Sequence, residues 1–174
     1  MTTDDTAALP YARLVAAPPT GDADRGERWS QAAQALGEAA DELRRLHRLL
    51  AGHWRAGSAQ QDTDEALRRL ARHLDDAHDA YARIAGAVTA RGDDLTRARR
   101  LALAAAADAG LAGLVVTPQG EVVPASDAAT TAPMAVRAAA SRLTARIADA
   151  TDQAAAAERR ASEEYADIPA PRPR

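Results

Sequence analysis

The chain contains no cysteine, lysine, phenylalanine or asparagine. The absence of cysteine excludes disulfides, thiolate metal sites and cysteine nucleophiles, and it fits any redox compartment. All 22 basic residues are therefore arginine. Because the missing residue types are largely those with A/T-rich codons, this is the composition of a GC-rich genome before it is a sign of chemistry. Aromatic residues make up only 3% of the chain, whereas alanine exceeds a quarter of it. Most apolar positions thus bury a single methyl group, which suits closely packed helices and not sheets. A net charge of −3, with the charges interspersed, argues against a nucleic-acid binder. No stretch approaches the roughly eighteen consecutive apolar residues of a membrane span, so stable membrane insertion is not expected. The first residues hold Asp4 and Asp5 and lack the basic start and apolar run of a signal peptide. The expected location is cytoplasmic, or secreted without a cleaved signal, or both.

What the chain does contain is helical periodicity. Apolar residues fall at Trp29, Ala32, Leu36, Ala39, Leu43, Leu46 and Leu50, and again at Leu67, Leu70, Leu74, Ala77, Tyr81, Ile84, Val88, Leu95 and Ala98. Steps of three and four keep one stripe facing a partner helix, and only Arg91 stands out of place. The two runs are separated once, at Gly52-His53-Trp54-Arg55-Ala56-Gly57. The first long helix is predicted from Asp24 to Ala51, capped by Asp22 or Asp24. The second is predicted to start at Asp62-Thr63-Asp64-Glu65 and to end near Ala109, before Gly110 and Gly113.

Over residues 114–123 the period changes and β-branched residues appear. Pro118 presets the φ of a turn and Gly120 can take positive φ, so a β-hairpin with a three-residue loop is predicted here. Pro133 then opens a third helix, with Val136, Ala140, Leu143, Ile147, Ala150, Ala154, Ala157 and Ala161 in its stripe. The predicted fold is mainly all-α: a long antiparallel helical hairpin, a third packing helix, and one small β-hairpin between the second and third long helices. Residues 1–23 are expected to be a flexible segment, although the apolar stretch 8–17 could pack along the hairpin. Residues 24–166 form the helical-hairpin domain and residues 167–174 a Pro/Arg tail.

Few residues invite a chemical reading. His47 and His53 are six apart and His73 and His78 five apart, whereas two ligands on one helical face need spacings of three or four. Glu163-Glu164 and Asp93-Asp94 are adjacent, so on a helix they point roughly 100° apart and cannot flank a substrate. Ser58 with His47 or His53 lacks an orienting group and an oxyanion loop. No catalytic residue, cofactor or metal site is predicted. Arg44, Arg45 and Arg48, with Arg68, Arg69 and Arg72, form basic clusters that either pair with nearby carboxylates or receive an acidic partner. Trp54, in the turn, either covers the end of the helical core or presents an edge for docking.

The turn Trp54-Arg55-Ala56-Gly57-Ser58-Ala59 between two amphipathic arms resembles that of the WXG family. These are small helical-hairpin proteins handled by the type VII (ESX) secretion systems of actinobacteria and Firmicutes. Their turn reads Trp-x-Gly, and here Gly57 lies one residue further on. Residues 110–124 are similar to the segment after the hairpin in larger WXG-like or LXG-like proteins and in the leader regions of secreted polymorphic toxins. The family's export signal, a tyrosine with an acidic residue four positions later, has no counterpart, since Tyr165 precedes Pro169 and Tyr81 precedes Ala85. The resemblance implies a non-enzymatic interaction module, either a secreted substrate or the escort of a secreted effector. Such a module pairs as a homodimer or with a similar helical protein, through Leu43, Leu50, Trp54, Gly57, Leu70, Leu74 and Tyr81. The alternative is a cytosolic coiled-coil scaffold or adaptor unrelated to secretion.

Overall fold

A computed structural model describes residues 10–16, 20–51, 58–125 and 133–168. Among these, four helices and one antiparallel strand pair are arranged in the order α1 (Tyr11–Ala16), α2 (Thr20–Ala51), α3 (Ser58–Leu111), β1 (Leu114–Val116), β2 (Val122–Pro124) and α4 (Met134–Ala166). The mainly α-helical fold with one β-hairpin between the second and third long helices is as the sequence predicts. The chain divides into two compact units. One unit comprises Ala23–Thr89 with Glu164–Arg174, and the other Met1–Asp22 with Ala90–Glu163.

The Ala23–Thr89 unit is an antiparallel helical hairpin made by α2 and the first half of α3. Three contacts define its register. His47 Nε2 lies 2.8 Å from Asp64 Oδ1, His78 Nδ1 lies 2.8 Å from the carbonyl of Ala33, and the rings of Trp29 and Tyr81 meet edge to face at 5.0 Å. The packed face holds Gly26, Ala33 and Ala40 on α2, and Ala71, Ala85 and Val88 on α3. This corrects the predicted stripe, because Ala39, Leu46, Leu50 and Leu70 are exposed. Small side chains let the two backbones approach, which leaves the larger leucines at the margins. At Gly26 a Cβ would collide with the Thr89 side chain and touch the Ala85 carbonyl at 3.6 Å.

α3 starts at Ser58, one turn earlier than the predicted acidic start. Ala59, Gln60 and Gln61 are tolerant of a helix, and Asp64, read as part of an N-terminal signal, instead faces His47.

In the second unit, α3 from Ala90 onward packs against α4, with the β-hairpin and α1 completing the core. One cluster joins Ala105, Ala109, Leu114, Val122, Ala140, Leu143 and Ile147, and another joins Leu14, Ala98, Ala102, Ala150 and Ala154. Residues 11–16, within the apolar stretch that could pack along the helices, form α1. The six-residue α1 buries Leu14 to 4% exposure, and its Ala12 amide donates to the carbonyl of Pro118. α2 is already helical at Thr20, four residues before the predicted start at Asp24.

The hairpin pairs Leu114 with Pro124, Val115 with Val123 and Val116 with Val122. Its loop is the predicted three residues, closed by Thr117 N donating to Glu121 O at 2.8 Å and Gly120 N to Thr117 O at 2.9 Å. Gly120 has φ +94°, which is the role its position called for. An isolated hairpin is marginal in water. This one buries Leu114 and Val122 against Ile147 in the core cluster, and the Val122 amide donates to Thr144 Oγ1 on α4. Arg91, the residue out of pattern, pairs with Asp22 and Glu158.

Candidate protein-interaction surface

The far end of the α2/α3 hairpin carries most of the side chains singled out from the sequence. Steps of 100° per residue arrange them in two groups. On α2, Leu46 and Leu50 project to one side of Leu43, and Arg44 and Arg48 to the other. On α3, Leu70 projects to one side of Leu67, and Arg68 and Arg72 to the other. Because the helices run antiparallel, the leucines share one flank of the hairpin and the arginines the opposite flank.

The arginine flank holds a groove of about 610 Å³. Leu43, Arg44 and His47 line it from α2, and Glu65, Leu67, Arg68, Ala71, Arg72 and Asp75 from α3. Arg44 bridges the groove to Asp75 and also holds Asp41 at 3.0 Å. The Asp75 carboxylate raises the Arg44 guanidinium above its ordinary pKa, chiefly through that hydrogen bond. Arg45 makes two bonds to Glu42, at 2.8 and 2.6 Å, which lower the Glu42 carboxyl and raise the Arg45 guanidinium. Arg69 lies 3.5 Å from Glu65. The basic clusters therefore split. Arg44, Arg45 and Arg69 pair with carboxylates as one reading of the sequence expected, while Arg48, Arg68 and Arg72 have no ionic partner among the described residues.

The leucine flank is apolar and open. Leu46 is 45% exposed, Leu50 40% and Leu70 44%, and Leu49 nearby is 55% exposed. Of the predicted partner-binding residues, Leu43, Leu74 and Tyr81 are half-buried within the hairpin, and Leu50 and Leu70 are exposed on this flank. Trp54 and Gly57 lie outside the described residues.

This end of the hairpin offers surface for binding. The groove lining includes no serine, threonine or cysteine that the His47–Asp64 pair could activate. Among the described residues, no group of three or more histidine, aspartate or glutamate side chains is placed to hold a metal ion. Nor, among them, is any helix long and apolar enough to cross a membrane. Comparison with protein-family models, curated proteins and solved structures finds no match.

Proposed function

We propose that this chain is a non-enzymatic helical interaction module associated with type VII secretion, acting as a WXG-like substrate or as the escort of a secreted effector. The observation that supports the reading best is the α2/α3 antiparallel hairpin, whose arms are joined through Trp54-Arg55-Ala56-Gly57 and whose flank near that junction exposes Leu46, Leu50 and Leu70. Solvated leucines on an otherwise charged hairpin favour burial against a second helical surface. The partner is a protein, either a second copy or a similar helical hairpin.

Co-expression with the products of neighbouring genes tests this. The expected result is a stable complex with a small helical protein or a toxin-like effector, and its export dependent on a secretion ATPase. Trp54→Ala separates two roles for the tryptophan: a docking role loses the partner and keeps stability, and a core role lowers stability by roughly 3 kcal/mol. A monomer that binds none of the neighbouring products would sink the reading. The pairing of Tyr165 with Pro169, and not with an acidic residue, favours the second reading, a cytosolic scaffold. That reading predicts complex formation with no export.

A further inference from the structure

The groove on the arginine flank carries a more specific inference, which rests on the reading of this chain as an interaction module. Its carboxylates are already engaged: Glu65 lies against Arg69 and Asp75 against Arg44. Its free charge is positive. Arg68 and Arg72 are exposed, line the groove and hold no carboxylate among the described residues, and Arg48 is the next turn along from Arg44 on the opposite wall. This local excess stands on a chain whose net charge is −3.

Between these walls the floor is apolar. Leu43 and Leu67 are half-buried and Ala71 is buried, so carbon surface lies between the two helices beside the Arg44–Asp75 bridge. A groove between antiparallel helices takes a third helix, reading apolar side chains one turn apart. We propose that the occupant is an amphipathic helix from another protein, with an apolar stripe set on Leu43, Leu67 and Ala71 and an acidic flank that pairs with Arg68 and Arg72. Because these arginines are four residues apart, they stand about 6 Å apart along the helix axis. The matching carboxylates on the partner are thus also one turn apart, where each can take a guanidinium in two hydrogen bonds. A basic or neutral helix with the same stripe would leave the arginines facing like charge or nothing, and this discriminates between partners that apolar contact alone would accept.

The full chain is titrated against three fluorescent synthetic helices of about 18 residues, or five turns, with one leucine stripe and flanks of glutamate, glutamine or lysine. The glutamate helix is expected to bind at least about tenfold more tightly than the lysine helix, a difference that shrinks as salt is raised. In Arg68→Glu/Arg72→Glu the preference should invert. Both side chains are exposed, so thermal unfolding of that variant should match the parent and exclude a folding defect. Equal binding of all three helices, or no effect of the charge reversal, overturns the acidic partner. If light scattering instead shows a self-associated chain that the charge reversal disperses, and no peptide binds, the occupant is a second copy and the proposal also fails. In either case a complex with a neighbouring gene product that persists in the charge-reversed variant leaves the broader reading standing, and only its absence removes both.

Discussion

Arg91 donates through Nε and Nη2 to the two carboxylate oxygens of Glu158, at 2.7 Å each, so that one side chain of α3 grips one of α4 in a planar fork. Its third nitrogen, Nη1, reaches Asp22 Oδ2 at 2.6 Å. The side chains are only partly accessible, at 25% for Arg91, 36% for Glu158 and 13% for Asp22. A charge placed inside an apolar stripe is tolerated because both of its faces meet carboxylates.

Arg91→Ala leaves Asp22 and Glu158 as two partly buried anions without their shared cation. Removal of one member of a fully buried pair costs about 3–5 kcal/mol, and screening by water at this exposure brings the expected loss to about 2 kcal/mol. Arg91→Lys keeps the charge but not the fork, and should fall between the two. Urea unfolding of the three proteins checks the order. Equal midpoints for Arg91→Ala and the parent would show that the triad adds nothing to stability.

Gly120 is held by two independent constraints. Its φ of +94° disfavours any side chain, and a Cβ would stand 3.0 Å from Ile147 Cγ2 and 3.2 Å from Tyr11 Cβ. Gly120→Ala combines left-handed strain with overpacking, and a loss of ~3 kcal/mol is expected. Gly120→Val should cost more. A Gly120→Ala variant as stable as the parent in thermal unfolding would rule out this turn geometry.

The hairpin was legible because its determinants are local: Pro118 and Gly120 specify the loop, and Leu114 and Val122 alternate onto one face. The long helices were legible for the same reason, through a period that persists over many turns. The phase of the packed face was not. Hydropathy ranks Leu46, Leu50 and Leu70 above Ala33, Ala40 and Ala71, yet close approach of two backbones favours the smaller methyl. Helix α1 was missed because six residues after Pro10 have little intrinsic tendency to order, and Leu14 is secured only by contacts with residues far along the chain. Arg91 looked like a defect because its partners lie 67 and 69 residues away. At the groove, the arginines were visible in the sequence. Which of them remain unpaired was not, since the pairing of Arg44 depends on Asp75, 31 residues distant.

Among the described residues, Ile147 is the largest side chain that is almost fully buried, at 1% exposure, and it belongs to the core cluster that holds Leu114 and Val122 of the hairpin. Three of its buried neighbours, Ala105, Ala109 and Ala140, carry side chains too short to move in and fill a void. Ile147→Ala should therefore cost about 4 kcal/mol, toward the upper part of the range for such truncations. Ile147→Val should cost about 1 kcal/mol. Calorimetry on both variants provides the check, and a loss below about 1 kcal/mol for alanine would mean that the site collapses freely.

The pH dependence of the Glu42–Arg45 pair has a definite sign. Hydrogen bonding by Arg45 lowers the Glu42 carboxyl in the folded chain, outweighing an opposing desolvation, and the Arg45 charge adds a lesser lowering. A depressed folded-state pKa means that the pair's contribution is present above the unfolded glutamate value of about 4.3 and is lost as pH falls through the lower folded value. The pair lies on the surface, so the effect on stability is small and weakens with salt. The clearer readout is an NMR titration of Glu42. Its midpoint should lie below the ordinary glutamate value in the parent and return toward it in Arg45→Gln; identical midpoints in the two proteins would count against the pair.

The proposed pairing of this hairpin with another helical surface makes its own demand on the leucine flank. Leu46, Leu50 and Leu70 are 40–45% exposed and contribute little to the packed face of the hairpin. Replacing all three with serine should lower stability by at most about 1.5 kcal/mol in all, because surface substitutions away from core, cap or network usually shift it by no more than about 0.5 kcal/mol each. The same replacement removes the apolar area that a partner would bury, at about 25 cal/mol per Å². Association should then weaken by orders of magnitude while the monomer stays folded. Light scattering at micromolar concentration, on the chain alone and mixed with the partner found by co-expression, reads the outcome directly. If the triple variant associates as tightly as the parent, pairing does not use this flank; if it unfolds, the three leucines belong to the hairpin's own core.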